Sequence, residues 1–337
     1  MQRNQNRCII AVALSIVFFL ITQAVIFASV PNHLDRETVN IVIRNGTTLN
    51  DISYILKQNR IINSRYLFFF CSLLYGGRLI AGEYELSRDM STMDVVRKMG
   101  NGERKIYVLR IIEGHNIYNI AEGIEKAGIM KGEEFISLAR DPEFLSSLGI
   151  QADSIEGYLA PETYFYSKEM EPERFIALIA KKTITMFEKE DIKKMMAESG
   201  LDMHKTLTIA SMIEKETGFK DERPIISAVF HNRLKKGMSL DCDPTIIYGT
   251  GRFNAPITKK DIDTYTPYNT YRFKGLPRGP ICSPGYASIK AALDPAPVDY
   301  LYFVSKNDGT HVFSRDMREH NHFVYLYQRA KKQKNHL

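Results

Sequence analysis

The stretch "CIIAVALSIVFFLITQAVIFASV", Cys8–Val30, contains no charged residue, and nothing else in the chain constrains its fold as strongly. About 20 apolar residues in a helix suffice to cross the hydrocarbon of a bilayer, whereas the apolar core of a secretory signal spans roughly 7 to 15. Residues 1–32 are therefore expected to form a short N-terminus and a transmembrane helix, with the membrane held through residues 8–30. A cleaved signal ending near Ala28 is the alternative. Arg3 and Arg7 precede the run, and the next Lys or Arg is Arg36. That asymmetry predicts a single pass through the cytoplasmic membrane, N-terminus in the cytoplasm and the body on the outer face.

The remainder has the balance of a globular protein. Of 337 residues, 44% are hydrophobic and 25% charged, enough to build two or three cored domains. The net charge of +6 is modest. Part of it lies in a terminal run, Arg329, Lys331, Lys332 and Lys334, which reads as a solvated tail compatible with an anionic surface. There is no basic stripe interleaved with aromatics, so nucleic acid is not an expected partner. The four cysteines, Cys8, Cys71, Cys242 and Cys282, show neither CxxC nor metal-ligand spacing, and no metal or cofactor is expected. Cys242 and Cys282 are read either as a disulfide or as two buried thiols.

An internal echo organises the first half. With an offset of 68 residues, Leu49 meets Ile117, Ile52 meets Ile120, Leu56 meets Ile124 and Ile61 meets Ile129. Each copy reads as a strand ("VNIVIRNG", "KIYVLRIIEG"), a polar turn and a helix with one apolar face. An apolar helix from Tyr66 to Leu74, a strand or hairpin in "IAGEYEL" and a capped helix in "STMDVVRKMGNG" complete the first copy. The expected fold class is α+β, with an αβ module at 38–104, a second αβ unit and connector at 105–150, and a larger mixed domain at 151–333.

Short capped helices follow Met130, then one long helical stretch from Pro172 to about Ser199. In "SMIEKETGF" the apolar residues Ile209, Met212 and Ile213 recur at helical spacing, with Leu207 and Ala210 beside them. Glu214 and Glu216 fall on opposite margins of that face. One of them, not a matched pair, is expected to be used. A further helix, "ERPIISAVFHNRLKKGM", ends at Gly237. Between Leu240 and Pro297 glycine, proline, tyrosine and asparagine dominate without periodicity, and long irregular segments of this kind usually carry function. "YLYFVSKNDGTHVFS" reads as a hairpin turning at Asn307–Gly309, followed by a terminal helix.

The order and spacing of "TIASMIEKETGF", "FHNRLKKGMSLDCDPTIIYG", "YNTYRFKGLPRGPICSPG" and "YLYFVSKNDGTHVFS" resemble the endolytic murein transglycosylases, the YceG-like family. The resemblance extends over most of the chain and implies a membrane span, a small LysM-like region at "IRNGTTLNDISYILKQ" and a C-terminal catalytic region. It departs from the family at Asp241, where members often carry Gln, and at Glu162, where many carry Asp. It implies cleavage within the glycan strands of peptidoglycan with formation of a 1,6-anhydromuramic end, and partners among the peptidoglycan synthases of elongation or division. Glu216-Thr217 is similar to the Glu-Ser pair that carries the acid in lytic transglycosylases, so Glu216 is the expected catalytic residue and Glu214 the alternative.

General chemistry is compatible with that reading. Hydrolysis of a glycosidic bond normally recruits two carboxylates. A lytic transglycosylase manages with one, because the sugar's own C6 hydroxyl is a tethered nucleophile. A Glu among apolar neighbours has the raised pKa such an acid needs. The bland roles are a Glu216–Lys220 pair and a Glu214–Arg233 pair. Asn232, Asp243, Tyr248, Asn269 and Tyr271 offer the amides, carboxylate and aromatic faces that a glycan groove uses, although Asp243-Pro244 also suits a helix start. Two other functions stay open: a lysozyme-type hydrolase, and a membrane-anchored peptidoglycan-binding scaffold without catalysis.

Overall fold

The computed structural model describes residues 2–329, and side chains for residues 10–19 and 21–329. Lys331, Lys332 and Lys334 of the basic tail lie outside the described residues, as do the side chains of Arg3, Arg7 and Cys8. The apolar run forms one helix, α1 (Gln2–Ala28). Its segment Ile10–Ala28 has a mean hydropathy of 2.6 and is long and apolar enough to cross a membrane.

The fold is mixed α+β and divides into two compact units, one reaching Tyr107 and including Phe165–Glu171, the other comprising Val108–Tyr164 and Pro172 onward. After α1 the first unit runs β1 (Thr38–Ile43), α2 (Leu49–Gln58), α3 (Arg65–Leu74), β2 (Gly82–Ser87) and α4 (Thr92–Asn101). Strands β1 and β2 pair antiparallel, with Val39 opposite Leu86 and Ile41 opposite Tyr84. Alternation along β1 sends Ile41 and Ile43 into a core shared with Leu56, Phe68, Val95 and Met99. Helix starts follow local chemistry: Thr48, Ser64 and Ser91 each accept a hydrogen bond from the backbone N–H three residues on.

The chain continues with β3 (Tyr107–Arg110), α5 (Ile117–Lys126), α6 (Gly132–Leu138), α7 (Pro142–Ser147), β4 (Thr163–Tyr166), α8 (Pro172–Phe187), α9 (Glu190–Ser199), α10 (Met203–Glu216) and α11 (Arg223–Lys235). Then come α12 (Asp243–Thr250), α13 (Lys259–Asp263), α14 (Tyr286–Leu293), β5 (Tyr302–Ser305), β6 (His311–Ser314) and α15 (Met317–Val324). Three expectations change here. The stretch from Pro172 to Ser199 is two helices, broken at Glu188–Lys189 where α9 takes its own start. The segment read as irregular holds α12, α13 and α14, of 8, 5 and 8 residues, too short to show a period. Cys242 and Cys282 are both free and buried, so the disulfide alternative falls.

The echo is present in local geometry. Helices α2 and α5 start and end 68 residues apart, from Leu49 to Ile117 and from Gln58 to Lys126. Gly46 and Gly114 precede them with φ of 84° and 83°, conformations that glycine adopts without steric cost. The amides of Ile61 and Ile129 close the same turn, on Leu56 O at 2.9 Å and Ile124 O at 3.1 Å.

Candidate active site

Helix α10 is buried on every side from Thr206 to Ile213 rather than along one face. Its polar residues are accommodated by bonding back along the helix: Thr206 to Asp202 O and Thr208 to His204 O, both at 2.7 Å, and Ser211 to Thr208 O at 2.8 Å. Asp202 caps its start by accepting from Lys205 N at 2.8 Å. The helix thus enters the core as a rigid rod, and its two glutamates stand at the end where it comes out.

They have different surroundings. Glu214 accepts from Arg223 Nη2 at 3.0 Å and from Gly285 N at 2.9 Å, and the side chains of the ion pair are 6% and 7% exposed. The partner is Arg223 at the start of α11, not Arg233: the chain reverses between α10 and α11 and brings the two helix ends together. Glu216 forms no ion pair among the described residues, and Lys220 does not reach it. Its Oε1 accepts from the thiol of Cys242 at 3.2 Å. Burial pushes its carboxyl up to about 7; the Cys242 bond opposes that rise and the Asp243 charge adds to it.

Glu216 lies in a cleft of about 540 Å³ with Asp241, Asp243, Tyr271, Phe303 and His311. Cys242 is the N-cap of α12 and Asp243 its first residue, so one helix start delivers both groups. That start is fixed from below: Cys242 N donates to Thr270 Oγ1 at 3.0 Å, and Thr245 Oγ1 donates to Cys242 O at 2.6 Å. Tyr271 donates its hydroxyl to Asp243 Oδ1 at 2.7 Å. Burial and the Asp243 charge hold the Tyr271 phenol far above its ordinary value. Asp241 sits at φ 50° and accepts from Arg233 Nη1 at 2.9 Å. Arg233 also donates to the carbonyls of Leu240 and Leu301, at 3.0 and 2.6 Å, so it is committed to shaping this wall.

The opposite wall is the β5–β6 hairpin. His311 Nδ1 and the His311 amide both meet Glu222, each at 2.8 Å, and Thr217 donates to the same carboxylate at 3.1 Å. Burial raises the Glu222 carboxyl, but the His311 bonds outweigh it and leave the group below its ordinary value.

Of the groove residues read from the sequence, Asp243 and Tyr271 share the cleft with Glu216. The other three stand elsewhere, with their side-chain donors occupied. Asn232 donates to Val298 O and Tyr300 O at 2.9 and 3.0 Å. Asn269 is fully buried and its amide donates to the carbonyls of Asp261, Ile262 and Thr264 at 3.2, 3.0 and 2.7 Å. Tyr248 donates to Glu156 Oε2 at 2.9 Å within an aromatic cluster with Tyr118, Phe253 and Tyr268. Glu156 also accepts from the amides of Ile117 and Gly157, at 2.9 and 3.3 Å, and burial lifts its carboxyl to about 7. Sequence reading gave no site role to Glu156, Glu222 or Cys242, whose partners Tyr248, His311 and Glu216 lie 92, 89 and 26 residues away along the chain.

No cluster of three or more metal-ligating side chains occurs among the described residues. A larger cavity of about 850 Å³ lies between α8 and α14, lined by Leu178, Met186, Tyr286 and Ile289. Its carboxylates are Glu113 and Glu162, the latter paired with Lys182. It lacks a group with the environment of Glu216, and the smaller cleft is the better candidate for chemistry.

The family model described as YceG-like matches residues 41–325. A Bacillus subtilis (strain 168) protein named endolytic murein transglycosylase is 33% identical over 316 residues, spanning 89% of this chain and 87% of that protein. A Streptococcus pneumoniae (strain ATCC BAA-255 / R6) protein of the same name is 27% identical over 325 residues, covering 86% of this chain and 58% of its own length. The crystal structure of a YceG-like protein, lmo1499 of Listeria monocytogenes, superposes with a TM-score of 0.60 at 34% identity, over 86% of this chain and 99% of that one.

Proposed function

The chain belongs to the YceG-like family, and from that premise we propose that it is an endolytic murein transglycosylase. It cleaves the β-1,4 bond between N-acetylmuramic acid and N-acetylglucosamine inside nascent glycan strands and leaves 1,6-anhydro-N-acetylmuramic ends. The observation that carries this reading is Glu216, a carboxyl raised to about 7 in an open cleft and without an ion-pair partner among the described residues. Near neutral pH such a group is divided between its acid and base forms, as a residue that must serve as both requires.

Protonated Glu216 donates to the glycosidic oxygen. The bond from that oxygen to C1 of the muramic residue breaks with its electron pair passing to the oxygen, which leaves as the 4-hydroxyl of N-acetylglucosamine. The Asp243 carboxylate in the same cleft favours the positive charge developing at C1. The C6 hydroxyl of the same muramic residue attacks C1 and surrenders its proton to Glu216, which restores the acid without consuming water. The Tyr271 and Phe303 rings supply faces for sugar packing.

In the same reading α1 is a single-pass anchor with the N-terminus in the cytoplasm, and the catalytic region acts on strands at the outer face beside the synthases of elongation or division. Residues 38–104, from β1 through α4, are the LysM-like module in this reading.

The test is mass spectrometry of products from detergent-solubilised full-length protein incubated with peptidoglycan strands, beside Glu216→Gln. Anhydro ends that vanish in the variant are expected. Reducing ends would assign hydrolysis, for which Asp243 is the available partner in the cleft, Asp241 being paired with Arg233. Strands left intact but bound would favour the scaffold.

A further inference from the structure

A polar pocket of about 660 Å³ in the first unit is lined by His33, Asp35, Lys57, Gln58, Arg60, Ile62, Asn63 and Arg88. Three cations line it against one carboxylate, Asp35, which Arg88 already engages at 3.3 Å together with Glu37. Lys57 donates to Asn63 O at 2.6 Å, and neither Lys57 nor Arg60 forms an ion pair among the described residues. Two nitrogens here, His33 Nε2 and Arg88 Nε, are buried and make no hydrogen bond. Buried donors and acceptors in native proteins are nearly always satisfied, so two orphans in one pocket ask for a ligand with polar oxygens. Arg60 holds φ at 57°, a left-handed conformation that costs a branched or bulky residue energy.

The place of the pocket narrows the ligand. Ala28, the last residue of α1, is fully buried in the first unit's core. Pro31 bridges to Ser91, and Asn32 is bonded to Met90 O through its amide at 2.7 Å and to Thr92 Oγ1 at 3.0 Å. His33 is five residues beyond Ala28, a reach of at most about 17 Å for extended chain. If α1 spans the bilayer, the pocket therefore opens at the headgroup layer or its rim, since headgroups add roughly 5 to 8 Å to each side of the hydrocarbon. Helix α3, which packs against α1, exposes Tyr66, Leu73 and Leu74. Their i, i+7, i+8 spacing makes one apolar face of the kind that lies on an interface.

We propose that this pocket is a phospholipid site that takes the phosphodiester headgroup of an anionic lipid in the leaflet where α1 emerges. Lys57, Arg60 and Arg88 meet the phosphate oxygens, and His33 Nε2 meets a headgroup hydroxyl or phosphate oxygen. The site holds the first unit against the membrane surface. It rests on the reading of α1 as an anchor, and the experiment separates the two.

Full-length protein in a mild detergent is titrated with phosphatidylglycerol or phosphatidylcholine of equal acyl length, and bound lipid is counted by native mass spectrometry. The Lys57→Gln, Arg60→Asn double variant is run beside it, asparagine being chosen because it tolerates the left-handed backbone. Phosphatidylglycerol is expected to bind at one saturable site, preferred over phosphatidylcholine, with affinity falling about ten- to thirtyfold in the variant. Equal binding of the two lipids, or a variant that binds like the parent, overturns the site. Inorganic phosphate or glycerol phosphate alone occupying the pocket at the same concentrations would overturn the lipid as its source. Carbonate extraction of membranes containing the full chain reads the anchor separately: release into the soluble fraction removes the anchor reading while the lipid titration still reports on the pocket.

Discussion

In the proposed mechanism a single ionisation at Glu216 links activity to stability. Its folded pKa of about 7 lies above the ordinary 4.5, so the folded state holds the proton more tightly than the unfolded chain. Its contribution is fully favourable below the ordinary value and is lost as pH rises toward the folded one, a penalty of up to about 3 kcal/mol above pH 7. Glu216→Gln is expected to abolish cleavage and yet melt higher than the parent at pH 8, with the gap closing at pH 4. Equal melting curves at pH 8 would show that the carboxyl is not raised. In the parent, kcat/KM should fall tenfold per pH unit above about 7 as the acid is lost. Cys242→Ala removes a bond that favours the ionised carboxyl, so the alkaline limb should move to higher pH; a limb that moves down sinks that assignment. Glu214→Gln leaves Arg223 buried with no counter-charge and should cost about 3 to 5 kcal/mol in denaturant unfolding. Whatever protein remains folded should keep the parent pH limb, which a second catalytic acid would not allow.

Among the elements, those with strong local signals were legible and those defined by partners were not. The Ser91 cap, the apolar recurrence at Ile209, Met212 and Ile213, and the 68-residue offset of apolar residues all depend on neighbours in sequence, and α4, α10 and the echo were legible from them. Helix α12 depends instead on Thr270, 28 residues beyond Cys242, a contact that no periodicity announces. Asn269 looked like a groove amide because composition cannot distinguish an amide aimed at a ligand from one that ties three loop carbonyls. The β5–β6 hairpin was read from Asn307–Gly309, and the turn uses positive φ at both residues, 62° and 90°. Gly309→Ala would be strained there, and its Cβ would lie 2.9 Å from Phe219 Cε2. The exposed Phe219 ring can yield, so the expected loss is the backbone strain, about 1 to 2 kcal/mol. It should appear as a lower melting temperature together with a raised KM, because the same hairpin carries His311 into the cleft. A raised KM without destabilisation would mean that the turn is not strained.

For the molecule as a whole, what the sequence concealed is where the apolar helix gives way to the first unit. Hydropathy stops at Val30, and the natural cut for a soluble form falls at residue 33. The structure makes residues 28–32 part of the first unit: Ala28 is in its core, Pro31 bridges to Ser91, and the Asn32 side chain donates to Met90 O and accepts from the Thr92 hydroxyl. Such contacts are invisible to a hydropathy window because they involve one small apolar residue and two polar atoms. Cutting at residue 33 should therefore destabilise the first unit. The loss is a buried methyl group and the four hydrogen bonds that Asn32 makes with Met90, Thr92 and Asn63, together about 3 to 6 kcal/mol. A chain beginning at residue 27 keeps them all and loses most of the apolar helix. In calorimetry the two truncated forms should differ in the transition of the first unit, with the longer form melting higher. They should match in the transition of the second unit, which contains Glu216, Cys242 and the hairpin. Coincident thermograms would mean that residues 28–32 contribute nothing to the fold, and a shift in both transitions would mean that the two units do not unfold independently.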